Sequence, residues 1–293
     1  ILFNHFPKTF GDAIKITKAL GADYLWIDSL CIVQDSAGDW DHESQKMEKV
    51  FISANCVLDA SAVKSSHDGL FIPRQRDYIW IAPKNVEPFY LYETIEDYDR
   101  DVSHAPLNSR AWALQERALA HRTIHFAERQ IYWECGQVVR CESLAKMHST
   151  QASFLANPKF PELAAGSSLN QRIKVFQDLY SKCSRMQLSF AEDRPIAIVG
   201  LENRLLHSFE RIGGFGVFNS FFHQSLLWRR GEDEICLKRI EGRSIPTWSW
   251  MAHTGGIDYI QAPFMGVDWN VSRSKLRSPW NRTDGNFWNN EDD

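Results

Sequence analysis

Between residues 9 and 62 the chain runs twice through one short pattern, an amphipathic helical stretch followed by a brief apolar run. Residues 9–20 carry Phe10, Ala13, Ile14, Thr17 and Leu20 at helical spacing, with Thr9 and Asp12 suited to a capping arrangement and Gly21 to end the helix. Ala22-Asp23-Tyr24-Leu25-Trp26-Ile27-Asp28 follows, rich in strand formers and closed by a carboxylate, and reads as a buried parallel strand. Residues 39–54 then set Trp40, Met47, Val50, Phe51 and Ala54 on one side of a second helix. Cys56-Val57-Leu58-Asp59-Ala60-Ser61-Ala62 forms the next apolar strand. Helices alternating with buried strands imply an α/β fold. Ligands in open α/β sheets sit beyond the carboxyl ends of the strands, where Asp28, Ser29 and Gln34 fall.

Residues 63–107 break the pattern with Ser, Gly, Pro and mixed charges and read as an insertion, with a hairpin around residues 79–82 and 89–92. The pattern resumes with a helix at 109–119 and strands at 123–126 and 130–135, joined as a hairpin through Ala127-Glu128-Arg129. Residues 1–142 thus read as a first domain and 143–168, rich in Ser, Ala and Pro, as a linker. Residues 169–271 read as a mainly helical region. Helices are expected through Ile173, Phe176, Leu179, Tyr180 and Cys183, near 193–209 and near 216–228, and Pro246-Thr247-Trp248-Ser249-Trp250 alternates like a strand. The polar residues 272–293 are expected to be disordered.

Composition narrows the function classes. With 33 Lys+Arg against 37 Asp+Glu the formal charge is −4, and 44% hydrophobic with 24% charged residues is ordinary for a globular chain. A mildly negative chain argues against a generic nucleic-acid surface, and no apolar run is long enough for a membrane span. The six cysteines are scattered without a C-x-x-C pair, so free buried thiols and a cytoplasmic location are expected. The chain opens on Ile1, with no signal-like segment, and reads as beginning inside a longer frame.

No phosphate loop, nucleophile elbow, dinucleotide glycine fingerprint or H-E-x-x-H motif is present. His121 and His125 are four apart, but the region between them reads as turn into strand, so a metal pair is not expected. Gly213-Gly214-Phe215-Gly216 reads as a loop. The helix at 109–119 carries the chemistry: Trp112 and Glu116 are related by i, i+4 and share one side, at the border of the apolar arc. A carboxylate against an indole at the mouth of an α/β cleft has a pKa open to tuning by burial. The alternative is an edge carboxylate paired with Arg110, Arg117 or His121.

Taken together, several phrases resemble the fungal heterokaryon-incompatibility (HET) domain. They are Pro7-Lys8-Thr9-Phe10-Gly11-Asp12-Ala13, then Leu25-Trp26-Ile27-Asp28-Ser29-Leu30-Cys31-Ile32-Val33-Gln34-Asp35 with Trp40, and the helix bearing Met47, Phe51 and Ala54. Asn108-Ser109-Arg110-Ala111-Trp112-Ala113-Leu114-Gln115-Glu116-Arg117 and Tyr132-Trp133-Glu134-Cys135 continue the order, so the resemblance covers roughly residues 5–140. Leu226-Leu227-Trp228 and the Trp248/Trp250 phrase resemble the C-terminal halves of the same proteins. HET domains usually open on a strand with a Ser-Tyr-x-Trp-Gly-like phrase. Nothing here matches it, so that strand is expected upstream or lost.

HET domains are in turn remotely similar to Toll/interleukin-1 receptor (TIR) domains, which implies a flavodoxin-like parallel sheet flanked by helices. Some TIR domains cleave NAD with a glutamate in a phrase close to S-x-x-W-x-x-x-E, and Ser109, Trp112 and Glu116 reproduce that spacing. The resemblance therefore implies Glu116 as the catalytic carboxylate and Trp112 and Ser109 as pocket residues. Asp28 and Ser61, at the ends of neighbouring predicted strands, would contact ribose or phosphate, with Asp28 equally suited to capping the turn through Gln34. NAD would be substrate, with no cofactor or metal. The competing expectation is a non-catalytic death-signalling module that associates with itself or with a receptor-type partner, or an inert paralogue.

Overall fold

The computed structural model describes residues 5–73, 78–92, 97–136, 138–142, 146–147, 166–209, 212–241, 245–260 and 278–281. They fall into two compact units, Ile1–Phe160 and Pro161–Asp293. Most of the expected linker and of the expected polar tail lies outside the described residues.

The first unit is built on a five-stranded sheet in the order β1 (Val57–Asp59), β4 (Arg122–Phe126), β5 (Ile131–Cys135), β6 (Val138–Cys141) and β7 (Lys146–Met147). Only β1 and β4 run parallel; every later pair is antiparallel. The fold is thus mixed α/β and corrects the parallel sheet expected from the first sixty residues. The reason lies in the connections: β4 to β7 are joined by turns too short for the crossover that parallel strands require.

Helix α1 (Lys8–Ala19) covers one face of this sheet. Its Ala13 and Ile16 pack with Leu58, Ile124, Phe126 and Ile131. Gly21, at φ +70°, ends the helix as expected. Thr9 and Asp12 do not cap it; Pro7 stands at the N-cap. Their side chains instead accept hydrogen bonds from the backbone N–H of Gly69 (3.2 Å) and Leu70 (3.2 Å), tying the start of the insertion to the helix. Gly69 sits at φ +85°, and a Cβ there would lie 2.8 Å from the Asp12 carboxylate, so glycine is required for that approach.

Residues 22–28 do not form the expected strand. Residues 24–27 join no ladder among the described residues; Ile27 is extended, and Asp28 opens a short helix, α2 (Asp28–Cys31). An apolar run becomes a strand only where a neighbouring backbone satisfies its N–H and C=O groups. Trp26 still packs inward, edge-on to Phe51 at 5.8 Å. The single helix expected at 39–54 is two, α3 (Ala37–Ser44), whose Asp39 N–H is capped by Ser36, and α4 (Met47–Ser53). Helix α5 (Ala111–Leu119) packs against α4 through Met47, Phe51, Leu119 and Trp112. The expected hairpin in the insertion is present as β2 (Tyr78–Ile81) and β3 (Phe89–Tyr92).

In the second unit a long helix (Leu169–Ser184) starts at a capping box of Ser168 and Gln171, and a second spans Ile196–Ser208. The helix expected at 216–228 is a tight hairpin, Gly213–Gly214 with Val217–Phe218, followed by two short helical turns. Phe215 and Gly216, both at positive φ, make its two-residue turn. Trp248 and Trp250 lie in a turn and a 3₁₀ helix rather than a strand; two tight turns leave no extended stretch between Pro246 and Met251. Two further two-stranded ladders, Trp228–Arg230 with Ile257–Tyr259 and Lys238–Arg239 with His253–Thr254, belong to this unit. Of the six cysteines, all free, Cys141 and Cys183 are buried, but Cys31 and Cys236 are exposed. Among the described residues no helix is long and apolar enough to cross a membrane.

Candidate functional site

Strand alternation sorts the sheet into an apolar face under α1 and a polar face under α5. Register places Asp59 beside His125 and Thr123 beside Glu134, so Asp59, His125 and Glu134 share the second face on three adjacent strands. All three are buried. His125 Nδ1 lies 2.9 Å from Asp59 and its Nε2 2.7 Å from Glu134. Glu134 also accepts from Arg117 Nε at 3.0 Å, and Arg117 donates to the Tyr98 hydroxyl at 2.7 Å. Asp59 accepts from Ser61 Oγ at 2.7 Å and from Asn108 Nδ2 at 3.3 Å.

This network fixes α5 at both ends. Asn108, just before the helix, holds Asp59; Arg117, in its last turn, holds Glu134; His125 bridges the two carboxylates. Burial opposes every charge in the network, yet the pairing outweighs it. Burial opposes ionisation of Glu134, but the His125 hydrogen bond and the Arg117 charge hold its carboxyl down at about 2. Asp59 is likewise lowered despite burial, mainly by His125. Burial disfavours the His125 imidazolium, but Asp59 and then Glu134 raise its pKa.

Glu116 neighbours Arg117 in the chain and has none of this support. It is partly buried at the margin of α5, and among the described residues its carboxylate makes no hydrogen bond or ion pair. Burial, and then the negative charge of Asp28, push its pKa up to about 7, with Arg110 partly offsetting them and Asp59 adding to them. Of the partners considered for it, Arg117 is committed to Glu134 instead. Such a carboxyl exchanges a proton near neutrality and gains from a cation placed beside it.

The other expected site residues are placed unequally. Trp112 lies one turn before Glu116, half-buried and edge-on to Trp40 at 6.2 Å. Asp28 is exposed at the first position of α2, where its carboxylate accepts from the Ser29 N–H at 2.7 Å; its charge reaches Glu116. Ser109 is not on α5 but on the 3₁₀ turn before it, donating to the Pro106 carbonyl at 2.6 Å. Ser61 is fully buried, its hydroxyl spent on Asp59. The structure thus brings Trp112, Glu116 and Asp28 into one neighbourhood and assigns Ser61 to the network beneath.

Comparison with known families bears on the first part of the chain. Residues 2–116 match the family model described as heterokaryon incompatibility protein (HET). This stretch is similar to the HET domain. The match ends on Glu116 itself, so β4 to β7 and the second unit lie beyond it. No curated protein and no solved structure matches the chain. The matched segment supplies Asp59 and Glu116, while His125 and Glu134 come from the strands that follow it. Sequence reading did not find the network. The signal was a polar residue at an inward position of each strand: Asp59 after Leu58, His125 between Ile124 and Phe126, Glu134 after Trp133.

Proposed function

We propose that this protein is a HET-domain effector of fungal non-self recognition and programmed cell death, with a TIR-like first domain that hydrolyses NAD at the bond between ribose and nicotinamide. The observation that carries the reading is Glu116: a partly buried carboxylate with no fixed partner among the described residues, held near neutral pKa beside Trp112 and Asp28. The match of residues 2–116 to the HET family model supports the biological setting.

In this reaction NAD and water give ADP-ribose, nicotinamide and a proton. The C1′–N bond breaks and its electron pair leaves with nicotinamide, which departs neutral and needs no general acid. Positive charge develops on the ribose ring, and water completes the new C1′–O bond. A single carboxylate beside the ring stabilises that charge and takes up the proton of the attacking water. Glu116 fits this role because a cationic substrate drives its ionisation, so the negative charge is greatest when the positive charge is present. Trp112 supplies an aromatic wall, and Asp28 extends the negative field towards the cation.

The test is nicotinamide release from NAD by the purified chain, beside a Glu116→Gln control. Release that disappears in the variant supports the reading. A folded wild-type chain that releases nothing at any protein concentration sinks it and leaves the non-catalytic signalling module or an inert paralogue.

A further inference from the structure

The hairpin formed by β2 and β3 has an unusual surface. The eight strand residues, Tyr78-Ile79-Trp80-Ile81 and Phe89-Tyr90-Leu91-Tyr92, include no charged residue. Ile79 is 67% exposed, Trp80 56%, Phe89 43%, Tyr90 53% and Leu91 48%. Ile79 pairs with Leu91 and Ile81 with Phe89 on one face, while Trp80 pairs with Tyr90 on the other, so both faces are apolar. Among the described residues β2 and β3 form a sheet of two strands only. Two-stranded sheets are marginal alone, and natural edge strands are guarded by charges that these strands lack.

We propose that this hairpin is a self-association surface, on which β3 of one copy pairs with β2 of the next as successive strands of one antiparallel sheet. The inference does not depend on the chemistry of Glu116. Apolar surface on both faces suits extension at the edges, because each added hairpin continues the Ile79/Leu91 strip on one side and the Trp80 strip on the other. The loop charges select the occupant. Lys84 follows β2 and Glu87 precedes β3; both are exposed, and neither makes an ion pair among the described residues. Repeating between copies the register used within the hairpin points every tip the same way and sets Glu87 of one copy beside Lys84 of the next. Two-fold pairing of β2 with β2, or β3 with β3, would put the tips at opposite ends and leave both charges unused. A second copy of this chain is therefore complementary in charge, register and apolar strip. The contact is head-to-tail, which makes assembly open-ended unless it closes into a ring.

Sedimentation velocity on the whole chain, over a range of concentrations, tests this. The expected result is a mass that keeps rising beyond a dimer. Ile79→Lys with Leu91→Lys, both at exposed positions, should leave the melting temperature unchanged and abolish association. Lys84→Glu should weaken association about threefold, and Lys84→Glu with Glu87→Lys should restore it. The proposal fails if the chain is monomeric throughout, or if association survives the two lysines. It also fails if growth stops at a dimer indifferent to the charge swap, or if the hairpin binds neutral phosphatidylcholine vesicles while the chain stays monomeric.

Discussion

Glu116 and Glu134 both lie withdrawn from solvent beside helix α5, yet one is pushed up to about 7 and the other held at about 2. Glu134 sits over the sheet between Arg117 and His125, with geometry good enough to outweigh its desolvation. Glu116, at the helix margin, meets Asp28 and Asp59 as like charges and is relieved only in part by Arg110. Burial is common to both; partners decide the sign. Under α5 both oxygens of the Glu134 carboxylate have charged partners in Arg117 and His125. At its margin Glu116 has no such partner among the described residues, and the proposed chemistry rests on that difference.

The largest effect that should separate these regions is on stability. Glu134→Ala strands Arg117 and His125 and should cost about 3–5 kcal/mol, read as a fall in the urea midpoint. Next comes activity: Glu116→Gln should lower nicotinamide release about 100-fold or more, with an unchanged or higher midpoint. Equal destabilisation by the two variants would erase the distinction. pH sharpens it further. If the ionised Glu116 is the working form, kcat/KM should rise about tenfold from pH 6 to 8, around its pKa of about 7. Asp28→Asn, which removes a charge that raises this pKa, should move the profile to lower pH. Glu134 behaves oppositely. Its folded pKa is depressed, so its stabilisation is present above the ordinary value of 4.5 and is lost as pH falls towards about 2. The smallest effect belongs to an exposed pair in the second unit: Lys174→Ala, which breaks the contact with Asp178, should cost only about 0.3 kcal/mol.

Periodicity revealed the parts of the fold that rest on local pattern. The helix beginning near residue 9, the β2–β3 hairpin and the β4–β5 hairpin all lie where alternation placed them. Pattern misled where long-range pairing decides. Residues 22–28 have the composition of a strand but join no ladder among the described residues, and β6 and β7 extend the sheet where no strand was expected. The site divided in the same way. Trp112 and Glu116 were legible because i, i+4 spacing is local. The link from Arg117 to Glu134 spans 17 residues and that from Asp59 to His125 spans 66, so neither could be read from either end alone. Asp28 was expected at the end of a strand and opens a short helix instead.

His125 has a further consequence. A neutral imidazole carries one N–H and could serve only one of the two carboxylates beside it; the imidazolium serves both. Its second proton thus acts as a bound ligand of the native state, held as tightly as its two anchors allow and released by the unfolded chain. Because the folded pKa is raised, this stabilisation is complete below the ordinary value of 6.5 and is lost as pH rises through the folded value. Folding between pH 6.5 and the raised folded value should therefore take up a proton from the buffer, and the heat of unfolding there should vary with the ionisation enthalpy of that buffer.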